Sequence, residues 1–288
     1  MKREITKDCF AKVNLTLDVI GKRPDGYHNL EMIMQRVSLK DILTVSVDTD
    51  AEETEIVVGC SRGDVPRNDD NLAAKSARLF LERIGKSAKI SIFIEKNIPM
   101  GAGLGGGSSD AAGVMTALNE LYDFPLTDDE LAELCGKIGS DVPFFVFGKT
   151  MLAQGTGTEL SALDDFSGIT VLIAKPEFGV STPYVYKNLK LTDATKHPDT
   201  KATIEALKER DFKKLAESVG NVLETVTAAE HIEIDEYKTI MMDCGAVYSL
   251  MSGSGPSVFG VFEDETGAKE AAEILSELTK EVYITKTE

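Results

Sequence analysis

Positive charge is in short supply in this sequence. Its 31 Lys and Arg residues face 48 Asp and Glu, a net charge of −17 over 288 residues. The chain therefore lacks the basic footprint that nucleic acid or an anionic membrane surface asks of a partner. Cysteine is scarce and scattered. Cys9, Cys60, Cys135 and Cys244 form no CxxC pair and have no histidine close by in sequence, which excludes a zinc-finger spacing or a disulfide framework and reads as buried thiols in a reducing compartment. No apolar run approaches the ~18 residues of a membrane span, and the opening MKREITKDCF has no apolar signal-peptide core. A soluble, cytoplasmic protein is expected. Internal repeats and low-complexity tracts are missing too. What remains is globular composition, 42% apolar and 27% charged, in a chain long enough for one large domain or two ordinary ones.

Apolar periodicity sets out the elements. Val13–Ile20 alternates as a strand with one polar face, and KRPDGY (22–27) is turn chemistry leading to a second strand over Glu31–Ser38. Ile42–Val47 alternates again, Thr54–Val58 is a short apolar run, and Ala88–Glu95 puts Ile90, Ile92 and Ile94 on one strand face. Leu72–Ile84 has helical spacing, with Asp69 or Asp70 as cap and Gly85 as stop, and Thr127–Glu130 is a capping box for a helix running through Ile138. The texture loosens over Thr150–Leu163, which suggests a boundary near Gly157 and two domains, 1–156 and 157–288. Beyond it the order is a strand at Ile169–Ala174, three or so helices over Lys201–Cys244, two strands flanking SGSGPS, a helix at Thr266–Leu278 and a strand at Val282–Thr285. This is the order of a ferredoxin-like split βαβ unit.

The stretch PMGAGLGGGSSDAA (99–112) carries the strongest functional signal. Glycines let a backbone approach an anion, and the helix read over Ala111–Tyr122 supplies N–H groups at its start. A flexible linker is the plain alternative, and the strand before and helix after favour an anion cradle. A Walker motif does not fit, because Ser108 and Ser109 are followed by Asp110 where that motif has its lysine and hydroxyl together. A dinucleotide fingerprint can be forced onto Gly101, Gly103 and Gly106, yet no acidic residue ends a second strand about 20 residues on.

The loop resembles the phosphate loop of the galactokinase, homoserine kinase, mevalonate kinase and phosphomevalonate kinase superfamily. AKVNL (11–15), RPDGYH (23–28), GSDVPFF (139–145) and SGSGPSVFG (252–260) narrow the resemblance to members that phosphorylate a cytidine diphosphate-linked methylerythritol in the non-mevalonate isoprenoid route. The resemblance implies an α+β, mixed α/β two-domain kinase. It has an N-terminal ribosomal-protein-S5-like βα domain for ATP binding and catalysis, a C-terminal ferredoxin-like domain, and an active site between them.

The same resemblance distributes roles. Lys12 orients the alcohol and offsets charge, and Asp141 is the general base; on their own these would read as an edge lysine and an N-cap. Pro99, Gly101, Ala102, Gly103, Leu104, Gly105, Gly106, Gly107, Ser108 and Ser109 hold the nucleotide phosphates, with Asn71, Leu72 and Lys96 at the adenosine. Asn14, on the strand face of Lys12, joins the substrate side. Tyr27 and Tyr186 sandwich the cytosine and His28 offers a polar edge; half-buried packing is the plain reading of each. Gly253 and Ser254, with Gly255, form a second set of N–H donors or simply a hairpin turn. Ala102 replaces a glycine of some relatives, which a negative φ tolerates. ATP and Mg²⁺ are the expected cofactors, a small molecule the partner, and a monomer or weak homodimer the assembly. A kinase for homoserine or mevalonate and a silent nucleotide sensor are the competing readings.

Overall fold

Two strands of 21 residues each, β1 (Lys2–Lys22) and β2 (His28–Asp48), account for most of the first fifty residues. The computed structural model describes residues 2–63 and 71–288. It divides into two units, the first from Met1–Ala11, Lys40–Ile98 and Gly105–Gly148, the second from Lys12–Leu39, Pro99–Leu104 and Lys149–Glu288. A single cut between residues 156 and 157 does not separate them, because β1 and β2 each give one half to either unit. The sequence splits β2 in two because Lys40 and Asp41 interrupt its alternation. The strand runs on through them: Asp41 is fully buried, and its Oδ1 accepts the backbone N–H groups of Asn97 at 2.6 Å and Ile98 at 2.8 Å.

In the first unit β3 (Glu55–Cys60) is followed by α1 (Leu72–Ile84) and β4 (Lys89–Glu95). β3 lies parallel to β4 with Ile56 opposite Ile90, and β4 runs antiparallel to β2 with Ile92 opposite Val45. Ile90, Ile92 and Ile94 are buried, while Ser91 and Phe93 between them are exposed, each burial contributing about 1.5–3 kcal/mol. Asn71 caps α1 by accepting the Ala73 N–H at 2.8 Å, and Gly85 ends it in the left-handed region at φ +63°. Asp69 and Asp70 lie outside the described residues. After the glycine loop come α2 (Gly106–Leu121), α3 (Asp128–Gly136) and α4 (Phe144–Phe147). α3 opens on the expected capping box and stops two residues short of Ile138.

In the second unit β5 (Thr150–Gly155) and β6 (Glu159–Ala162) form a hairpin where the sequence looks loose, and β5 pairs antiparallel with β2, Ala153 opposite Met32. Polar residues mask this strand in the sequence. Thr150, buried, donates its hydroxyl to Gln35 Oε1 at 2.6 Å.

The unit continues through β7 (Thr170–Lys175), α5 (Thr182–Asn188), α6 (Thr200–Glu209), α7 (Phe212–Ser218), β8 (Gly220–Asn221), α8 (Glu224–Glu230) and α9 (Glu233–Asp243). It ends with β9 (Tyr248–Met251), β10 (Val258–Phe262), α10 (Glu265–Ser276) and β11 (Glu281–Lys286). Four helices, α6 to α9, therefore occupy the span read as three or so. β7, β9, β10 and β11 form an antiparallel sheet in the order β11-β7-β10-β9, the split βαβ arrangement expected. β7 and β10 are buried along their whole length. Among the described residues no helix is long and apolar enough to cross a membrane.

Candidate active site

Alternation puts Lys12, Asn14, Thr16 and Asp18 on one face of β1, and this polar face is buried rather than solvated: Lys12 is 2% exposed and Asn14 1%. Lys12 Nζ donates to Asn14 Oδ1 at 2.5 Å, and the Lys12 N–H donates to the Leu104 carbonyl at 3.0 Å. A buried ammonium requires partners of this kind, and the second contact ties β1 to the glycine loop within the second unit.

The loop stretch Pro99–Leu104 packs against the turn Ser252–Gly255 of the same unit. Ser252 Oγ donates to the Gly103 carbonyl at 3.0 Å. Gly103 has φ +73°, and a Cβ there would overlap the Ser252 carbonyl, so only glycine fits. At Gly253 a Cβ would sit 3.5 Å from Lys12 Nζ and 3.2 Å from the Gly103 carbonyl oxygen. Lys12, Asn14, Gly103 and Gly253 are thus brought together. Ser254 Oγ lies 2.7 Å from Thr182 Oγ1. Ala102 is not among the described non-glycine residues with positive φ, as its place in the loop requires.

Sequence reading missed the residue that holds this turn. Asn221 on β8 is buried; its Nδ2 donates to the carbonyls of Met251 at 2.7 Å and Gly253 at 2.8 Å, and its Oδ1 accepts the Leu223 N–H at 3.0 Å. A polar residue in a two-residue strand leaves no periodic trace. Elsewhere in the second unit, Tyr186 on α5 stacks on His28 with ring centroids 5.3 Å apart and 28° between planes, and Tyr27 is 65% exposed. An open tyrosine beside a stacked His–Tyr pair is a surface to which a flat base can add.

In the first unit α2 is preceded by Gly105, a left-handed N-cap with φ +71° that has no side chain to cap the helix. The first-turn N–H groups, which have no partner within a helix, can be directed at an anion. Gly106 has Lys96 Nζ 3.0 Å and Ile98 Cγ2 2.9 Å from where a Cβ would lie, and Gly107 has Leu72 Cδ1 at 3.9 Å. Leu72, Lys96, Gly106 and Gly107 therefore gather at the helix start, with Asn71 adjacent as the cap of α1.

Lys96 is not an exposed strand-end lysine. Its ammonium donates to Asp41 and, at 2.7 Å, to Asp110, with side-chain exposures of 5%, 0% and 5% for the three residues. Burial alone would lower the Lys96 pKa, but the carboxylates of Asp110 and Asp41 hold it above the usual lysine value. The Asp110 carboxyl is pushed up to about 7, by burial first and by Asp41 against the opposing pull of Lys96. Asp41 and Asp110 are the other residues the sequence hid, and one signal was there: Asp110 is a charged residue directly before the buried apolar stretch Ala111, Ala112, Val114 and Met115 of α2. Asp141 is half-buried in the turn between α3 and α4, where Val142 donates to the Gly139 carbonyl at 3.2 Å and Val142 and Phe144 are fully buried. Asp141 belongs to the first unit and Lys12 to the second.

Residues 71–149 match the GHMP kinases N terminal domain and residues 203–281 the GHMP kinases C terminal domain. A protein of Clostridium novyi named 4-diphosphocytidyl-2-C-methyl-D-erythritol kinase is 45% identical over 279 residues, 97% of this chain and 98% of that protein. The chain belongs to the GHMP kinase family. It is accordingly an enzyme, a kinase. An Acetivibrio thermocellus protein of the same name is 42% identical over 98% of this chain and 99% of its own length. A crystal structure of 4-(cytidine 5'-diphospho)-2C-methyl-D-erythritol kinase superposes with TM-score 0.83 at 34% identity, covering 98% of this chain and 99% of that one. Homoserine kinase from Cytophaga hutchinsonii shares the fold, with TM-score 0.82 at 18% identity over 100% of this chain and 96% of that one.

Proposed function

We propose that this kinase transfers the γ-phosphoryl group of ATP to the 2-hydroxyl of 4-diphosphocytidyl-2-C-methyl-D-erythritol, giving the 2-phosphate and ADP, in isoprenoid biosynthesis by the non-mevalonate route. The observation that carries this reading is 45% identity to a relative of that name over 97% of the chain. The arrangement of Lys12, Asn14, Gly103 and Gly253, and of His28 and Tyr186, is consistent with it.

Phosphoryl transfer asks little covalent work of a protein. It needs an oriented alcohol, a group to receive its proton, and positive charge around the moving phosphoryl. Asp141 would receive the proton of the 2-hydroxyl as its oxygen bonds to the γ-phosphorus and the bond to the β–γ bridging oxygen breaks. Lys12, held by Asn14, would orient the alcohol and offset the developing charge. The glycine loop and the first turn of α2 would hold the phosphates, with Asn71 and Leu72 beside the adenosine and Gly253 and Ser254 as additional donors. Tyr27, His28 and Tyr186 would take the cytosine, which homoserine and mevalonate lack. Mg²⁺ would enter with ATP. The described residues bring no three His, Cys, Asp or Glu side chains together as a metal cluster, and Mg²⁺ is ordinarily held by one or two carboxylates plus substrate phosphates and water.

The deciding experiment measures ADP release with the cytidylyl substrate, with homoserine, with mevalonate and with no acceptor. Release with the cytidylyl substrate alone is expected. Turnover of homoserine alone would overturn the substrate assignment, and ATP binding without turnover of any acceptor would favour the sensor.

A further inference from the structure

The glycine loop leaves the first unit after Ile98 and re-enters it at Gly105, and three buried charges meet at those two ends. On the entering side, Asp41 Oδ1 accepts the N–H groups of Asn97 and Ile98, the last two residues before the loop. On the far side, Asp110 stands in the first turns of α2, five residues beyond Gly105. Lys96 joins them, its ammonium donating to Asp41 and Asp110 and lying 3.0 Å from where a Gly106 Cβ would be. We propose that Asp41 and Asp110 are positioning residues for the glycine loop, acting through Lys96 as a clamp on the backbone at both of its ends. The proposal rests on the reading that this loop holds nucleotide phosphates.

The geometry is more specific than a structural ion pair requires. Asp41 spends one oxygen on the backbone that delivers the loop and the other on Lys96. Asp110 offers Lys96 its Oδ2 and leaves Oδ1 buried with no hydrogen-bond partner. Such an atom is costly as part of a carboxylate and cheaper when the group carries a proton. Two carboxylates around one ammonium leave one net negative charge beneath a helix start meant for an anion, and a single proton removes it. The charged groups acting on Asp110 are Lys96 and Asp41. Cys9 of β1, also close, has its thiol pushed well up by burial and then by Asp110 and Asp41, so it stays neutral. Bound phosphates add negative charge nearby and favour the protonated pair. Nucleotide affinity should therefore fall as pH rises and the proton is lost.

Calorimetric titration of the intact chain with MgADP, alongside steady-state kinetics, tests the clamp. Asp41→Asn keeps the shape but gives Lys96 a poorer partner. At about pH 6, where the wild-type cluster already carries its extra proton and the two proteins do not differ in net charge, it should weaken ADP about tenfold and raise KM for ATP alike, with kcat within about twofold and KM for the acceptor unchanged. Wild-type affinity for ADP should decline between about pH 6 and about pH 8, and Asp110→Asn should bind as wild type does at the lower pH and lose that decline. Unchanged ADP binding in Asp41→Asn, or the same pH decline in Asp110→Asn, overturns the proposal. If Asp41→Asn does not fold, the Asp110→Asn pH series decides alone. A wild-type chain that binds no MgADP overturns the phosphate-loop reading itself, and the clamp with it.

Discussion

The mechanism proposed above asks one specific act of Asp141, accepting a proton as the phosphoryl group moves, and its removal should then be felt in turnover rather than in nucleotide binding. Asp141→Asn is expected to lower kcat about 10²- to 10⁴-fold with KM for ATP within a few-fold, measured by ADP release; a near-normal kcat removes Asp141 as the base. Asp110 offers a second test at the same scale. Its carboxyl is pushed up to about 7, burial being the first cause, against about 3.9 for an unfolded aspartate. Between these values the folded chain keeps a proton that the unfolded chain has released. The contribution is therefore fully present below about pH 4 and is lost as pH rises through about 7. Exposed carboxyls held low, such as Asp123 beside Arg3 and Glu130 at its capping box, act in the opposite sense and weakly, because solvent screens them. Thermal melts of wild type and Asp110→Asn over this range isolate the effect of this carboxyl: wild type should lose stability relative to the variant as pH rises. A constant difference between the two would count against it.

At the scale of elements, the loop and the turn it packs against depend on one another through backbone atoms. Gly103→Ala meets the Ser252 carbonyl at a position with φ +73°, so neither side can yield by rotating a side chain. A cost of at least about 2 kcal/mol is expected from backbone strain and overlap together, seen as a lower melting temperature together with loss of activity. A variant as stable and active as wild type would mean that the loop and the turn are less tightly packed than these contacts imply. The elements also show what a sequence can reveal. α1, β4 and the capping box of α3 were legible because periodicity and caps are local. β2 reads as two strands because Asp41 looks like a break, and the groups that satisfy it, the N–H groups of Asn97 and Ile98 and the ammonium of Lys96, lie more than fifty residues away. The β5–β6 hairpin was hidden by polar residues whose partners, such as Gln35 for Thr150, are distant in sequence.

At the scale of the whole molecule, a net charge of −17 opposes a polyphosphate ligand until salt screens it. The screening length shortens from about 30 Å at 0.01 M salt to about 10 Å at 0.1 M, while groups in contact with the phosphates are screened far less. KM for ATP is therefore expected to fall as salt rises over that range at constant Mg²⁺. Steady-state kinetics at the two salt levels checks this, and a KM that climbs steeply instead would mean that exposed cations dominate binding.

The sequence by itself determined the family motifs, the ferredoxin-like order of the C-terminal elements, and the glycine loop with its helix, because each is written in contiguous residues. Tertiary structure alone decided that the polar face of β1 is buried, that β1 and β2 serve both units, that Asn221 holds the turn at Gly253, and that Lys96 is enclosed by Asp41 and Asp110. These are pairings between residues far apart in the chain, and a buried polar group declares its role only when the partner that satisfies it is in place.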